Sequence, residues 1–214
     1  MRSSAVRFRR AALALAGAAT LQGCVVAAVG GAAVGSVVVM ADRRSTGMQL
    51  LDAQIEHRVS SALDERFARE SVRIDVTSYD QNVVLAGQVP QEKDRTDAEA
   101  LARAADSVRG VSNELAIGSM AGLSSGADDA VLAGKVKASL LGAKGLAPEI
   151  VKTSVTLGTV YLFGRVNAQE AEIAKATASQ VSGVKRVVAM FEILSPEEYA
   201  KVAQPVSPPP PSMP

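Results

Sequence analysis

Tryptophan is absent from this chain of 214 residues, aromatics make up 3% of it, and there is one cysteine and one histidine. With so few rings, stacking on bases or sugars is not its main activity. A single cysteine, Cys24, excludes a disulfide framework. A zinc centre takes three or four N, S or O ligands, which Cys24 and His57, far apart, do not supply. No Ser-His-Asp or Cys-His set is available. His57 is flanked by Glu56 and Asp64, implies no cleft, and reads as a surface or helix-packing residue. Asp94, Asp97 and Glu99 read as the solvated face of a charged helix. Gly30-Gly31 opens no strand-to-helix phosphate loop, so no cofactor is expected. The net charge is +1, with no basic excess of the kind that nucleic acid demands.

What is present begins with an address. Arg2, Arg7, Arg9 and Arg10 precede an apolar run from Ala11 to Leu21 and then Leu21-Gln22-Gly23-Cys24. A basic start, an apolar stretch and a small residue before a cut describe a secretory signal peptide over residues 1–23. Leu at −3 and Gly at −1 resemble the bacterial lipobox. In such proteins the cysteine thiol is diacylated and the new amino end acylated, palmitate being among the chains. Three acyl chains hold a protein on a membrane permanently. Val26 after the cysteine resembles the outer-membrane sorting signal of enteric bacteria. The competing reading joins Ala11–Leu21 to the small apolar stretch Val25–Met40 as one uncleaved spanning helix, with Gly31 and Gly35 as a helix-dimer motif. Residues 24–47 read as a lipidated cysteine and a Gly/Ala-rich tether.

The rest is a repeat. Leu85-Ala86-Gly87-Gln88-Val89 recurs as Leu162-Phe163-Gly164-Arg165-Val166, and Val108-Arg109-Gly110-Val111 recurs as Val181-Ser182-Gly183-Val184. The spacings differ by four residues, which predicts a second helix about one turn longer in the first copy. Each copy opens with a helix: Ile55, Val59 and Leu63 in one, Leu132, Val136 and Leu140 in the other, with Asp128 or Asp129 as N-cap. Two alternating strands follow, with turns at Asp80-Gln81-Asn82 and at Gly158. The glycine inside the second strand predicts a bulge or a close helix approach. An Ala-rich helix over 92–107 or 168–181, stopped by Gly110 or Gly183, leads to a last strand, Val111–Ile117 or Val184–Ile193. The fold class is therefore α+β: two tandem α-β-β-α-β units, each with two helices on a small mixed three-stranded sheet. The units are placed at 48–117 and 128–194, with a Gly/Ser-rich linker at 118–127 and a Pro-rich disordered tail at 195–214.

Charge separates the two copies. Met48–Ile117 holds eight basic and thirteen acidic residues, a balance of −5, whereas Ala127–Leu194 holds eight basic and six acidic, a balance of +2. An anionic bilayer should attract the second copy and repel the first. At 100° per residue, Leu132, Val136 and Leu140 of the second copy's first helix share an inward arc. Val131, Lys135, Ala138 and Gly142 share an outward one. An apolar residue beside a lysine on a small-residue face suits shallow insertion among headgroups. In the competing reading, Val131 packs against the first copy and Lys135 and Lys137 are ordinary solvated charges. Lys144 and Lys152 are weaker candidates for headgroup contact.

The element order, V-x-L-x-G-x-V on the second strand and V-x-G-V before the last resemble the BON domain over roughly Met48 to Leu194. Asp42-Arg43-Arg44-Ser45-Thr46-Gly47 and Ser179–Val187 look like the leader and the end of the dual-BON outer-membrane lipoproteins. That resemblance implies a non-catalytic protein on the inner leaflet of the outer membrane, facing the periplasm. It implies binding of anionic phospholipid, notably phosphatidylglycerol, through the first helix of the second copy, and support of envelope integrity. Val131 stands where those relatives carry tryptophan, a stronger interfacial anchor. The alternatives are an adaptor that docks outer-membrane barrel-assembly or division-site proteins without reading lipid, and a general envelope-stress protein acting by abundance.

Overall fold

The computed structural model describes residues 42–68, 70–118, 124–147 and 149–202. The signal peptide, Cys24, the alternative span over 11–40 and the chain from 203 onward lie outside the described residues.

Helix α1 (Thr46–Arg66) leads to strands β1 (Arg73–Tyr79) and β2 (Asn82–Val89), helix α2 (Glu92–Ala104) and strand β3 (Gly110–Ile117). The order repeats as α3 (Ser124–Leu141), β4 (Lys152–Thr156), β5 (Thr159–Val166), α4 (Ala168–Ser179) and β6 (Arg186–Ile193), and a short helix α5 (Pro196–Val202) follows. Each sheet has the second strand in the middle, antiparallel to the first and parallel to the third. A parallel neighbour needs a crossover, and α2 and α4 provide it.

The core of the first repeat forms where Ile55, Val59 and Leu63 of α1 meet Val83, Leu85 and Val89 of β2 and Ala98 and Ala102 of α2. In the second repeat, Leu132, Val136 and Leu140 meet Val160, Leu162, Val166, Ala174 and Ala178. Alanines on the crossover helices let them lie close to the sheet. The opposite faces of the two sheets are also covered: Tyr79, Val84 and Ala86 cluster with Tyr161 and Phe163. Tyr79 and Phe163 stack with ring centroids 6.1 Å apart. The two sheets thus meet on their helix-free faces. Charges cross the same seam: Lys152 Nζ donates to Glu56 Oε1 at 2.7 Å, Arg186 to Glu114 at 3.0 Å and Arg73 to Asp129 at 2.8 Å.

Several expectations need correction. Helix α3 starts at Ser124, inside the stretch read as linker, so Asp129 lies within the helix and is not its N-cap. Its buried carboxylate accepts the Leu157 and Gly158 N–H groups at 2.7 and 2.8 Å and so holds the β4–β5 turn. Asp52 does the same for the β1–β2 turn, accepting from Asp80 N at 2.9 Å and Gln81 N at 2.8 Å. The tail is not disordered from 195 on, because 196–202 form α5, capped by reciprocal bonds between Ser195 and Glu198. Asp94, expected on a solvated face, is buried. Gly87 is crowded by the neighbouring strand, not by a helix: a Cβ there would lie 2.0 Å from the Arg73 carbonyl oxygen, at φ +133°.

The pairing of the two V-x-G-V signatures also fails. Asn82 faces Gly110 across β2 and β3, and the equivalent Thr159 faces Arg186. The last strands are therefore offset by 76 positions and the first three elements by 77. The counterpart of Gly183, at φ +102°, is Ser107 at φ +69°. Gly110 does not stop a helix but opens β3. With that register α2 has 13 residues and α4 has 12, so the extra turn shrinks to a single residue.

Candidate functional site

Helix α3 is fixed to its repeat by Leu132, Val136 and Leu140, all buried, and by the Asp129 turn anchor. Those contacts decide what the other face shows. Val131 is 60% exposed and Leu141 47%. Lys135, Ala138 and Gly142 are exposed as well. All four residues singled out from the helical wheel therefore share one open face, and Val131 does not pack on the first repeat. Among the described residues, Lys135, Lys137 and Lys144 form no ion pair. Lys152 is different, because Glu56 and the Ser78 carbonyl hold it at the seam. His57 is exposed on α1. Leu141 lies outside the arc that the wheel predicts; its sequence signal is a large apolar residue outside the buried i, i+4 series.

A second constellation joins the residues ahead of α1 to both repeats. Arg44 lies over the Tyr79 ring at 3.8 Å and donates to Asp42 and, at 2.5 Å, to Asp52. The adjacent Arg43 reaches the other repeat, donating to both Glu170 oxygens at 2.7 and 2.8 Å and to the Arg165 carbonyl at 2.7 Å. Tyr199 of α5 lies under the Arg43 guanidinium at 4.8 Å and donates to Glu170 at 3.2 Å. Burial works against the Glu170 carboxylate. The bonds from Arg43, the Asn167 N–H and Tyr199 outweigh it and hold the pKa below the usual carboxylate range. Arg43 is raised in turn, chiefly by its bond to Glu170. Asp42, Arg43 and Arg44, placed in the tether by sequence, are thus packed at the junction of the repeats, and Thr46 and Gly47 open α1. Among the described residues, no helix is long and apolar enough to cross a membrane.

The BON domain model matches twice, at residues 51–119 and 128–195. The chain belongs to the BON-domain family. Known proteins resemble it in sequence. Outer membrane lipoprotein DolP of Haemophilus influenzae is 33% identical over 187 residues, covering 87% of this chain and 96% of that protein. The 21 kDa hemolysin of Actinobacillus pleuropneumoniae is 31% identical over 148 residues, 69% of this chain and 76% of that one. Osmotically-inducible protein Y of Escherichia coli is 30% identical over 142 residues, 64% and 69%. The α+β tandem architecture read from the sequence is the architecture of the chain.

Proposed function

We infer that this BON protein is an outer-membrane lipoprotein with an envelope function, anchored through Cys24 in the inner leaflet and facing the periplasm. Its second BON domain reads anionic phospholipid, phosphatidylglycerol in particular, through Val131, Lys135, Ala138 and Gly142 of α3. The likeness to an outer membrane lipoprotein over 87% of the chain supports the location. The observation that carries the lipid reading is the face itself: Val131, 60% exposed, stands one turn from a lysine with no acidic partner among the described residues. The small residues Ala138 and Gly142 let the helix axis approach the headgroups. Val131 then enters the acyl boundary while the lysines remain among phosphates. The balance of +2 in this domain against −5 in the other turns the correct domain toward the bilayer.

The test is co-sedimentation of residues 25–214 with vesicles of phosphatidylglycerol or of phosphatidylcholine. The wild type should pellet with the anionic vesicles only, less so as salt rises. Val131→Asp should weaken that binding about tenfold or more, since it removes the apolar side chain that enters the acyl boundary and adds like charge to the bilayer's. Being at an exposed site, the substitution leaves the fold intact. If the wild type pellets with neither vesicle, the acyl chains alone hold the protein on the membrane. Barrel-assembly or division-site proteins then become the partners to look for.

A further inference from the structure

The two BON domains provide an internal control for a groove that runs between the first helix and the loop leading into the last strand. In the second domain this groove measures about 390 Å³. Val131, Leu132 and Lys135 of α3 form one wall, and Leu157, Gly183 and Lys185 form the other. In the first domain the structural counterparts of Lys135 and Lys185 are Arg58 and Arg109, and both are satisfied within the protein. Arg58 reaches across the groove and donates to the Asp106 carbonyl at 3.3 Å. Arg109 lies 3.8 Å from the Asp80 carboxylate. The counterpart of Asp80 in the second domain is Leu157, which carries no charge. Among the described residues Lys135 has no acidic partner and, unlike Arg58, no bond across the groove, while Lys185 Nζ, without an acid in the place of Asp80, donates only to the Leu157 carbonyl, at 3.2 Å. Of the acids that line the groove, Asp129 is committed to Arg73 and to the two turn N–H groups. Asp128 is exposed at the helix side of the mouth.

We propose that this groove is a headgroup site, in which Lys135 and Lys185 take the phosphodiester of an anionic glycerophospholipid between them while Val131 on the rim enters the bilayer. The proposal rests on the lipid reading of α3 and adds to it the opposite wall. Two amines facing one anion from separate elements give a defined stop for the headgroup, where α3 alone would give only a charged surface. Val131 at the mouth favours a phosphate carried by a bilayer over one free in solution.

The experiment measures binding of residues 25–214 to phosphatidylglycerol vesicles for the wild type, Lys185→Met, Lys185→Arg and Leu157→Asp. Lys175→Met is the control for one lost charge, since Lys175 sits on α4 beside Glu172. Leu157 has φ +53°, a conformation that aspartate adopts more readily than leucine, so that variant folds. Lys185→Met and Leu157→Asp should each weaken binding about fivefold, the effect of one cation near an anionic surface. Lys185→Arg and Lys175→Met should bind as the wild type does. The proposal is overturned, with the α3 reading intact, if Lys185→Met and Lys175→Met lose equally or not at all while Val131→Asp abolishes binding. It falls together with that reading if the wild type does not bind vesicles. If soluble glycerophosphate shifts the Lys135 and Lys185 amide signals and vesicles do not, the groove takes free phosphate and the bilayer assignment is wrong.

Discussion

Helices α1 and α3 share an inward half and differ in their outward half. Ile55, Val59 and Leu63 have buried counterparts in Leu132, Val136 and Leu140, and Asp52 has one in Asp129. Outward, the counterparts of Val131, Lys135, Ala138 and Gly142 are Gln54, Arg58, Ser61 and Glu65. One face is apolar and small with unengaged cations; the other is polar, with its cation bonded to Asp106 and Gln54. The inward half is constrained by a packed core, where a changed volume costs stability. The outward half carries no such constraint, so function can differ there without disturbing the fold.

The strongest way to test the shared half is to remove the turn anchors. Asp52 accepts from Arg44, Ser78 Oγ, Asp80 N and Gln81 N, and Asp129 from Arg73, Leu157 N and Gly158 N. Asp52→Ala should cost about 3–5 kcal/mol in urea unfolding, because it removes one of Arg44's two carboxylate partners and leaves Ser78 Oγ and two turn amides without their acceptor. Asp129→Ala should cost about 1 kcal/mol less, having one donor fewer. Equal costs would mean that the anchors are not the same device.

The strand glycines come next. Gly87 sits at φ +133° with the Arg73 carbonyl 2.0 Å from the place of a Cβ, whereas the Cβ site of Gly164 is 2.7 Å from the Ile150 carbonyl and carries no such φ. Gly87→Ala should cost about 2–4 kcal/mol and Gly164→Ala about half of that, read as shifts in urea midpoint. The reverse order would place the tighter strand approach in the second domain.

The smallest effect is an asymmetry in acid. Glu170 is held by Arg43 from the leader, while its counterpart Asp94 has, among the described residues, a side-chain bond only from Gln91, at 3.5 Å. A carboxyl whose folded pKa lies below its unfolded value stabilises the fold above the unfolded value, about 4.3 for glutamate. That contribution is lost as pH falls through the lower, folded value. Glu170→Gln should therefore cost about 1–2 kcal/mol at pH 7, and the gap to the wild type should narrow below about pH 4. A gap independent of pH would show that the ionised form has no special role.

The repeat, the order of elements and the buried positions of α1 and α3 were legible in the sequence because they obey short periods. The sheet-to-sheet seam was signalled too. Val83-Val84-Leu85-Ala86 and Val160-Tyr161-Leu162-Phe163 are unbroken apolar runs, which mark strands buried on both faces rather than the alternation assigned to them. Helix α5 had its own sign in Ser195-Pro196-x-Glu198, a capping box with proline at the first turn, which the proline-rich chain beyond it obscured. Asp129 reads as an N-cap because an acid near a helix start looks the same whether it caps the helix or bonds a turn 28 residues on. Pairing Gly110 with Gly183 treated a left-handed position as glycine's alone, but Ser107 fills it in the first domain. The exposed arc from Val131 to Gly142 could be drawn from a wheel. The groove beside it could not, since its far wall depends on the loop register that the two glycines disguised.

The neighbouring arginines of the leader have a mechanical consequence. Arg43 is bolted to Glu170 in one domain and Arg44 to Asp52 in the other, each with its side chain 5% exposed or less. A pull arriving along the chain at residue 42 is therefore shared by both domains at once. Peeling α1 away would require both bolts to shear first. A leash fastened to one domain would let the other swing; fastened at the seam, it moves the pair as a single rigid load.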